Sequence, residues 1–381
     1  MSFLKQWNLS IVILLFVSLG SQAQDASNDN EAINYFNEAI SFFKARDYQN
    51  AVLYYSKAID VRPDYTKAYY NRGSAKINLK DYDGALADFN RVIELDPEFA
   101  KAYLYKGYAL MRKKDYTDAV NSFTSAIDYD PTLTKAYINR GNILLNMKRY
   151  SHAINDFTTA VEQDDSEYKA FYNRGLCYQK VDNEQAAIQD FTASLNIKPS
   201  YDYALRARAK AYLKLEDYNN AISDFTASLK YDSENEDTYY YRGYAKLQIE
   251  DKAGAATDFE MATSLDPSHE SATRNLAITN FQLGKFDVAV QNYTALIKID
   301  PEDPNHYVNR GISYIKVDDF KKAIYDFDSA IDMKKDFAEA YFNRANAFSQ
   351  IEKSEDACKD MRESAKLGYK PAFTYINSLC N

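Results

Sequence analysis

The sequence predicts an all-α solenoid of ten helix–turn–helix units closed by a C-terminal capping helix. Two observations carry that prediction. From Ala32 to Pro371 the chain divides into ten consecutive blocks of 34 residues with no insertion or deletion. The blocks start at Ala32, Thr66, Ala100, Thr134, Tyr168, Asp202, Glu236, Glu270, Pro304 and Ala338. Block position 20 is alanine every time, from Ala51 and Ala85 through to Ala323 and Ala357. An enzyme with one core has no reason to hold such a register. A stack of identical units does, because each must dock on the next in the same way.

The elements follow in chain order. Met1–Ala23 contains Lys5, an apolar run centred on Ile11–Leu19, and then Ser21-Gln22-Ala23. It reads as a secretory signal cut before Gln24. The run is short for a membrane span of about 20 residues; a retained anchor is the alternative. Residues 24–31 are polar and turn-rich and read as a disordered lead-in. Residues 32–371 are the ten repeats, read as one continuous superhelical domain, and each block reads as two helices. Positions 4, 8 and 11 form an apolar or small stripe, as in Tyr69, Gly73 and Lys76, where only the lysine breaks the pattern. Positions 20, 24 and 27 form a second, as in Ala119, Phe123 and Ala126. Spacings of three and four put each trio on one helical face. Small residues at 8 and 20 let two backbones approach, and the aromatic at 24 fills the space beside them. Proline at position 32, as in Pro63, Pro97 and Pro131, ends the second helix. Residues 371–381 read as the capping helix.

Tyrosine at 4, glycine or alanine at 8, alanine at 20, an aromatic at 24, alanine at 27 and proline at 32 together resemble the tetratricopeptide repeat. The resemblance covers about nine tenths of the chain. It implies a right-handed superhelix whose first helices line a concave groove that binds protein segments. The departures are few. Block eight has Thr273 at position 4, blocks four, six, nine and ten lack the proline, and the glycine this family often has at position 15 occurs only as Gly284. Members that clamp a terminal carboxylate pair a basic residue at 5 with asparagine at 9. No block here does, so that clamp is not expected.

The copies serve as replicates for one pairing. Arginine at position 7 and aspartate at 23 occur together in seven blocks: Arg72 and Asp88, Arg140 and Asp156, Arg174 and Asp190, Arg208 and Asp224, Arg242 and Asp258, Arg310 and Asp326, Arg344 and Asp360. The other three blocks lack both, with Glu38 and Tyr54, Lys106 and Ser122, or Leu276 and Asn292 instead. Co-occurrence predicts a bidentate ion pair between the helices of one hairpin. Shared descent of the blocks is the rival explanation.

Of the three cysteines, Cys177 takes a position usually filled by small residues and reads as buried and inert. Cys358 and Cys380 are placed to fasten the cap as a disulfide in an oxidising compartment. His152, His269 and His306 lie at unrelated block positions, read as solvated surface, and give no metal constellation. No phosphate loop, zinc spacing or nucleophile elbow occurs. The chain therefore reads as a non-enzymatic protein, and no cofactor or metal is expected.

Position 6 carries asparagine in seven blocks: Asn37, Asn71, Asn139, Asn173, Asn275, Asn309 and Asn343. It faces away from the packing stripe, and in the tetratricopeptide family that face lines the groove. An amide both donates and accepts, so a row of them suits a peptide backbone. The row resembles the asparagine ladder of the O-GlcNAc transferase superhelix, at those seven residues and no further. Groove positions 2, 5, 6, 9, 12 and 13 carry twelve basic and two acidic side chains, while the chain without its signal has a net charge of −10. Lys67, Lys101, Lys135 and Lys169 occupy position 2 of consecutive blocks. A concave surface of one sign attracts the other, so an extended acidic protein segment is the expected ligand. An acidic chain argues against nucleic acid. The signal resembles those of Gram-negative exported proteins, which implies a periplasmic location, envelope or exported partners, and no membrane span after cleavage. Assembly of an outer-membrane or secretion complex is the alternative, with a carbohydrate-processing accessory role behind it.

Overall fold

The computed structural model describes residues 28–380, and their regular structure is all α-helical. The signal segment Met1–Ala23, with its cleavage before Gln24, lies outside the described residues. The first helix spans residues 28–44, so residues 28–31 of the expected lead-in are helical. Three forces extend the helix backwards. Asp29 and Glu31 place negative charge in its first turn, Asp29 accepts a 3.2 Å hydrogen bond from Arg62 Nη1, and Ala32 is fully buried.

Tyr48–Val61 completes block one. Blocks two to five pair Thr66–Asn78 with Tyr82–Leu95, Ala100–Arg112 with Tyr116–Tyr129, Thr134–Asn146 with Tyr150–Gln163, and Tyr168–Lys180 with Glu184–Ile197. Blocks six to eight pair Asp202–Lys214 with Tyr218–Ser228, Glu236–Gln248 with Lys252–Leu265, and Glu270–Gln282 with Phe286–Ile299. Blocks nine and ten pair Pro304–Lys316 with Phe320–Met333 and Ala338–Gln350 with Ser354–Lys366; Lys370–Leu379 is the cap. The helices gather into two compact units, one ending at Ile197 and the other beginning at Lys198. Within each unit every helix packs on its hairpin partner and on the next helix along.

Both turns have a repeated local cause. Block position 15 takes left-handed backbone throughout: Arg46, Lys80, Lys114, Lys148 and five other non-glycine residues have φ near +60°, and Gly284 has φ +74°. This conformation ends the first helix within one residue. The next residue is an aspartate in six blocks, and its side chain caps the second helix; Asp81 accepts from Gly84 N at 2.9 Å and Asp251 from Gly254 N at 2.9 Å. Between blocks, the aspartate at position 31 accepts from the backbone N–H two residues on, as in Asp130 with Thr132 and Asp164 with Ser166. Both carboxyls lie below the usual range because the side-chain hydroxyl and the backbone of that same residue donate to them.

The buried face differs from the expected stripe by one residue. Positions 3, 8 and 10 are inward, as in Ala68, Gly73 and Ala75 or Ala136, Gly141 and Ile143. The position 4 tyrosines are half-buried. Their rings pack while their hydroxyls reach the preceding turn: Tyr103 Oη donates to the Pro97 carbonyl at 3.1 Å and Tyr307 Oη to that of Pro301 at 3.3 Å. Close approach enforces the choice. A Cβ on Gly175 would stand 2.6 Å from the Phe191 ring, and one on Gly311 2.7 Å from Phe327. All ten position 20 alanines are fully buried beside these rings.

Candidate functional site

The first helices are fixed by the arginine–aspartate pairs, and that sets which face they leave open. In all seven blocks both carboxylate oxygens are engaged. Arg140 donates to Asp156 at 2.9 and 2.7 Å, and Arg310 donates to Asp326 at 2.8 and 2.7 Å. The remaining guanidinium nitrogen reaches the preceding block, a contact the sequence reading lacked. Nη1 of Arg72, Arg140, Arg174, Arg242 and Arg310 donates to the hydroxyls of Ser56, Thr124, Thr158, Thr226 and Thr294. Each such arginine joins three helices across a repeat boundary. Lys76 does not merely interrupt a stripe: its Nζ lies 2.8 Å from Asp88 Oδ2. Block eight lacks the pair, and Asn280 Nδ2 donates to Asn292 Oδ1 at 3.0 Å in its place.

In the unit ending at Ile197 the open face holds a cavity of about 450 Å³ whose lining includes Asn78, Tyr105, Tyr108, Lys135, Ile138 and Asn139, and one glutamate, Glu167. Apart from that glutamate, these are block positions 2, 5, 6, 9 and 13, so three consecutive first helices contribute to one concavity. Lys67, Lys101, Lys135 and Lys169 are all exposed. None has a carboxylate within ion-pair distance among the described residues; Lys169 Nζ lies over the Tyr168 ring. Of the position 6 asparagines in this unit, Asn37 is exposed, while Asn71, Asn139 and Asn173 are half-buried. Among the described residues Asn71 and Asn139 have no hydrogen-bond partner, whereas Asn173 Nδ2 donates to Asn142 Oδ1 of the previous block at 2.7 Å. Tyr105 takes the asparagine position in block three, stacked on Phe89 at 6.0 Å.

The unit beginning at Lys198 presents Asn275, Asn309 and Asn343 half-buried at the same position. Asn343 Nδ2 turns back onto the Glu339 carbonyl at 3.0 Å. Its groove cations are partly neutralised. Arg206 pairs with Asp202 at 2.8 Å and Arg274 with Glu270 at 2.5 Å. Cys358 and Cys380 are joined through their sulfurs at 2.13 Å, with alpha carbons 5.1 Å apart. Cys177, in the first unit, is fully buried, and burial pushes its thiol up to about 12.

The histidines do not share one environment. His152 is exposed and His269 half-buried, but His306 is only 2% exposed and is not the surface residue expected. It occupies position 3, which the structure makes an inward position and which the sequence alone left ungrouped. Burial lowers its basicity, against the pull of Asp303 and Asp300.

No helix among the described residues is long and apolar enough to cross a membrane. A comparison with curated proteins finds no match. Among solved structures, the C-terminal part of a TPR repeat-containing protein from Cytophaga hutchinsonii is similar at 22% identity and TM-score 0.55, over 63% of this chain and 99% of that one. A tetratricopeptide repeat protein from Parabacteroides merdae is similar at 19% identity and TM-score 0.43, over 65% of this chain and 99% of that one. PilF of Pseudomonas aeruginosa is similar at 18% identity and TM-score 0.47, over 55% and 95%. The tetratricopeptide repeat pattern matches residues 66–99, 100–133, 134–167, 168–201 and 206–270, and the TPR repeat pattern matches 279–318. These matches span more than half of the chain, four of them coincide with blocks two to five, and the chain belongs to the tetratricopeptide-repeat family.

Proposed function

We propose that this non-enzymatic repeat protein binds an extended acidic protein segment along the first helices of blocks two to five. The observation that carries the reading is the cavity in the first unit, which Asn78, Tyr108 and Lys135 of three successive repeats line together with Asn139. Lys67, Lys101, Lys135 and Lys169 supply attraction, and none of them is held in an ion pair among the described residues, although Glu167 lines the cavity with Lys135. Asn71, Asn139 and Asn173 bind the backbone in the manner of an O-GlcNAc-transferase-like ladder, with Tyr105 as an aromatic rung. Asn275, Asn309 and Asn343 extend the same chemistry in the second unit without the lysines. The signal-like Met1–Ala23 and the Cys358–Cys380 pair support export to an oxidising compartment, the periplasm first, with envelope or exported proteins as partners.

The test is fluorescence anisotropy of the mature chain with labelled Asp/Glu-rich peptides and a Lys/Arg-rich control. Acidic peptides bind and basic ones do not. Exposed ion pairs contribute under about 1 kcal/mol each and are screened by salt. Replacing the four lysines with alanine therefore removes most of the salt dependence. Replacing Asn71, Asn139 and Asn173 with alanine weakens binding at low and high salt alike, because a desolvated backbone loses its partners. If both variants bind like the parent, the groove is not the site.

A further inference from the structure

His306 sits where eight other blocks place alanine or threonine, all buried to at least 97%. The imidazole overfills that slot and projects toward the turn joining blocks eight and nine. Its Nε2 is buried and has no hydrogen-bond partner. Asp303 Oδ2 lies 3.6 Å away and Asp300 Oδ2 3.9 Å away, both beyond hydrogen-bond reach. A carboxylate oxygen of Glu270, one of Asp300 and a ring nitrogen of His306 all lie within 4.8 Å of one another.

The carboxylates are oriented from behind. Asp300 Oδ1 accepts from Glu302 N at 3.2 Å, and Asp303 Oδ1 accepts from Asn305 N at 2.9 Å and Asn305 Nδ2 at 2.6 Å. Each thus turns its other oxygen toward the imidazole. Glu270 Oε1 accepts from Arg274 Nη2 at 2.5 Å. Such outer contacts are what hold ligand side chains in a metal site. Spacing is near what an ion needs: two donors about 2.1 Å from a tetrahedral ion stand about 3.4 Å apart. The aspartate oxygens stand 3.6 and 3.9 Å from Nε2, and the cluster spans up to 4.8 Å, so the side chains would draw together around the ion. Charge agrees too. Three carboxylates less Arg274 leave two negative charges facing a neutral imidazole.

We propose that Glu270, Asp300 and His306, with Asp303 beside the imidazole, bind one divalent transition-metal ion of zinc type, clasping repeat eight to repeat nine. An imidazole among carboxylates selects zinc-like ions over magnesium, which takes oxygen donors alone and keeps its waters. Glu270 begins the first helix of block eight, and His306 lies in the first turn of the next block's first helix. The ion would therefore bridge two hairpins. Block eight, which contributes Glu270 and Asp300, is one of the three repeats that lack the arginine–aspartate pair.

The test titrates zinc sulfate into the chelator-treated full chain by isothermal calorimetry. One zinc per chain is expected, with no comparable heat from magnesium. His306→Ala restores the residue other blocks carry, so it should fold; with Asp300→Asn it should bind zinc at least about tenfold more weakly. His152→Ala should bind like the parent. Zinc should raise the melting temperature of the parent and leave that of His306→Ala unchanged, with circular dichroism confirming the fold of each variant. Absence of stoichiometric zinc uptake by the parent overturns the site, as does unchanged binding in His306→Ala and Asp300→Asn or loss of binding in His152→Ala.

Discussion

The unit ending at Ile197 and the unit beginning at Lys198 share a packing code but present different surfaces. Both hold arginine–aspartate pairs of one geometry, as in Arg140–Asp156 and Arg310–Asp326. Both bury the same alanines and press glycine onto phenylalanine. Position 2, however, is Ile33, Lys67, Lys101, Lys135 and Lys169 in the first unit and Tyr203, Asp237, Ser271, Asn305 and Glu339 in the second. The second unit instead carries the linked cysteines and the buried His306. The packing positions are therefore common to both units, and the surface positions are where they diverge.

The largest effect that tests this division is on the clamp. Arg140→Ala leaves Asp156, 4% exposed, without its cation. We expect a loss of about 3–5 kcal/mol in urea unfolding followed by circular dichroism, the usual cost of breaking a buried pair from one side. Arg310→Ala should cost the same if the frame is common to both units. The double change Arg140→Leu with Asp156→Asn copies block eight and should recover most of the loss. A double variant no more stable than Arg140→Ala would show that the pair does more than neutralise a buried charge.

Smaller effects sharpen the comparison. Gly175→Ala and Gly311→Ala each bring a methyl group against a phenylalanine ring. Overpacking of this kind costs about 1–3 kcal/mol. Block six already accommodates Ala209 against Phe225, so the lower part of that range is expected in both units, read as a shift in unfolding midpoint. Unequal costs would mean that the two frames differ. At position 15, Lys148→Gly relieves a side chain held at φ +59° and should stabilise the first unit by up to about 1 kcal/mol. Gly284→Lys should cost the second unit a similar amount. A destabilising Lys148→Gly would show that the lysine makes a contact worth more than the strain.

Several features were legible without coordinates. The period named the hairpins, and the matched presence and absence of Arg72 with Asp88 and its six counterparts named the pairs. The cysteines of the last block and the cap were placed near each other by the same register. These are properties of one repeat, or of a fixed offset between copies, and a linear sequence records both. Tyr105 and Asn142 could have been found as groove residues by following positions 6 and 9 through every block.

Other features needed the third dimension. Neighbouring helix positions differ by about 100°, and positions 3 and 4 are both apolar, so hydrophobicity could not choose between Ala68 and Tyr69. The packed structure decides it: Ala68 is fully buried between the helices, whereas Tyr69 is only half-buried. The third hydrogen bond of each arginine depends on how one hairpin lands on the previous one. The gathering of Glu270, Asp300 and His306 depends on the same docking. Sequence by itself determined the unit and its internal pairs; tertiary structure decided which side chains of successive units meet, because that follows from the rotation and spacing of packed helices.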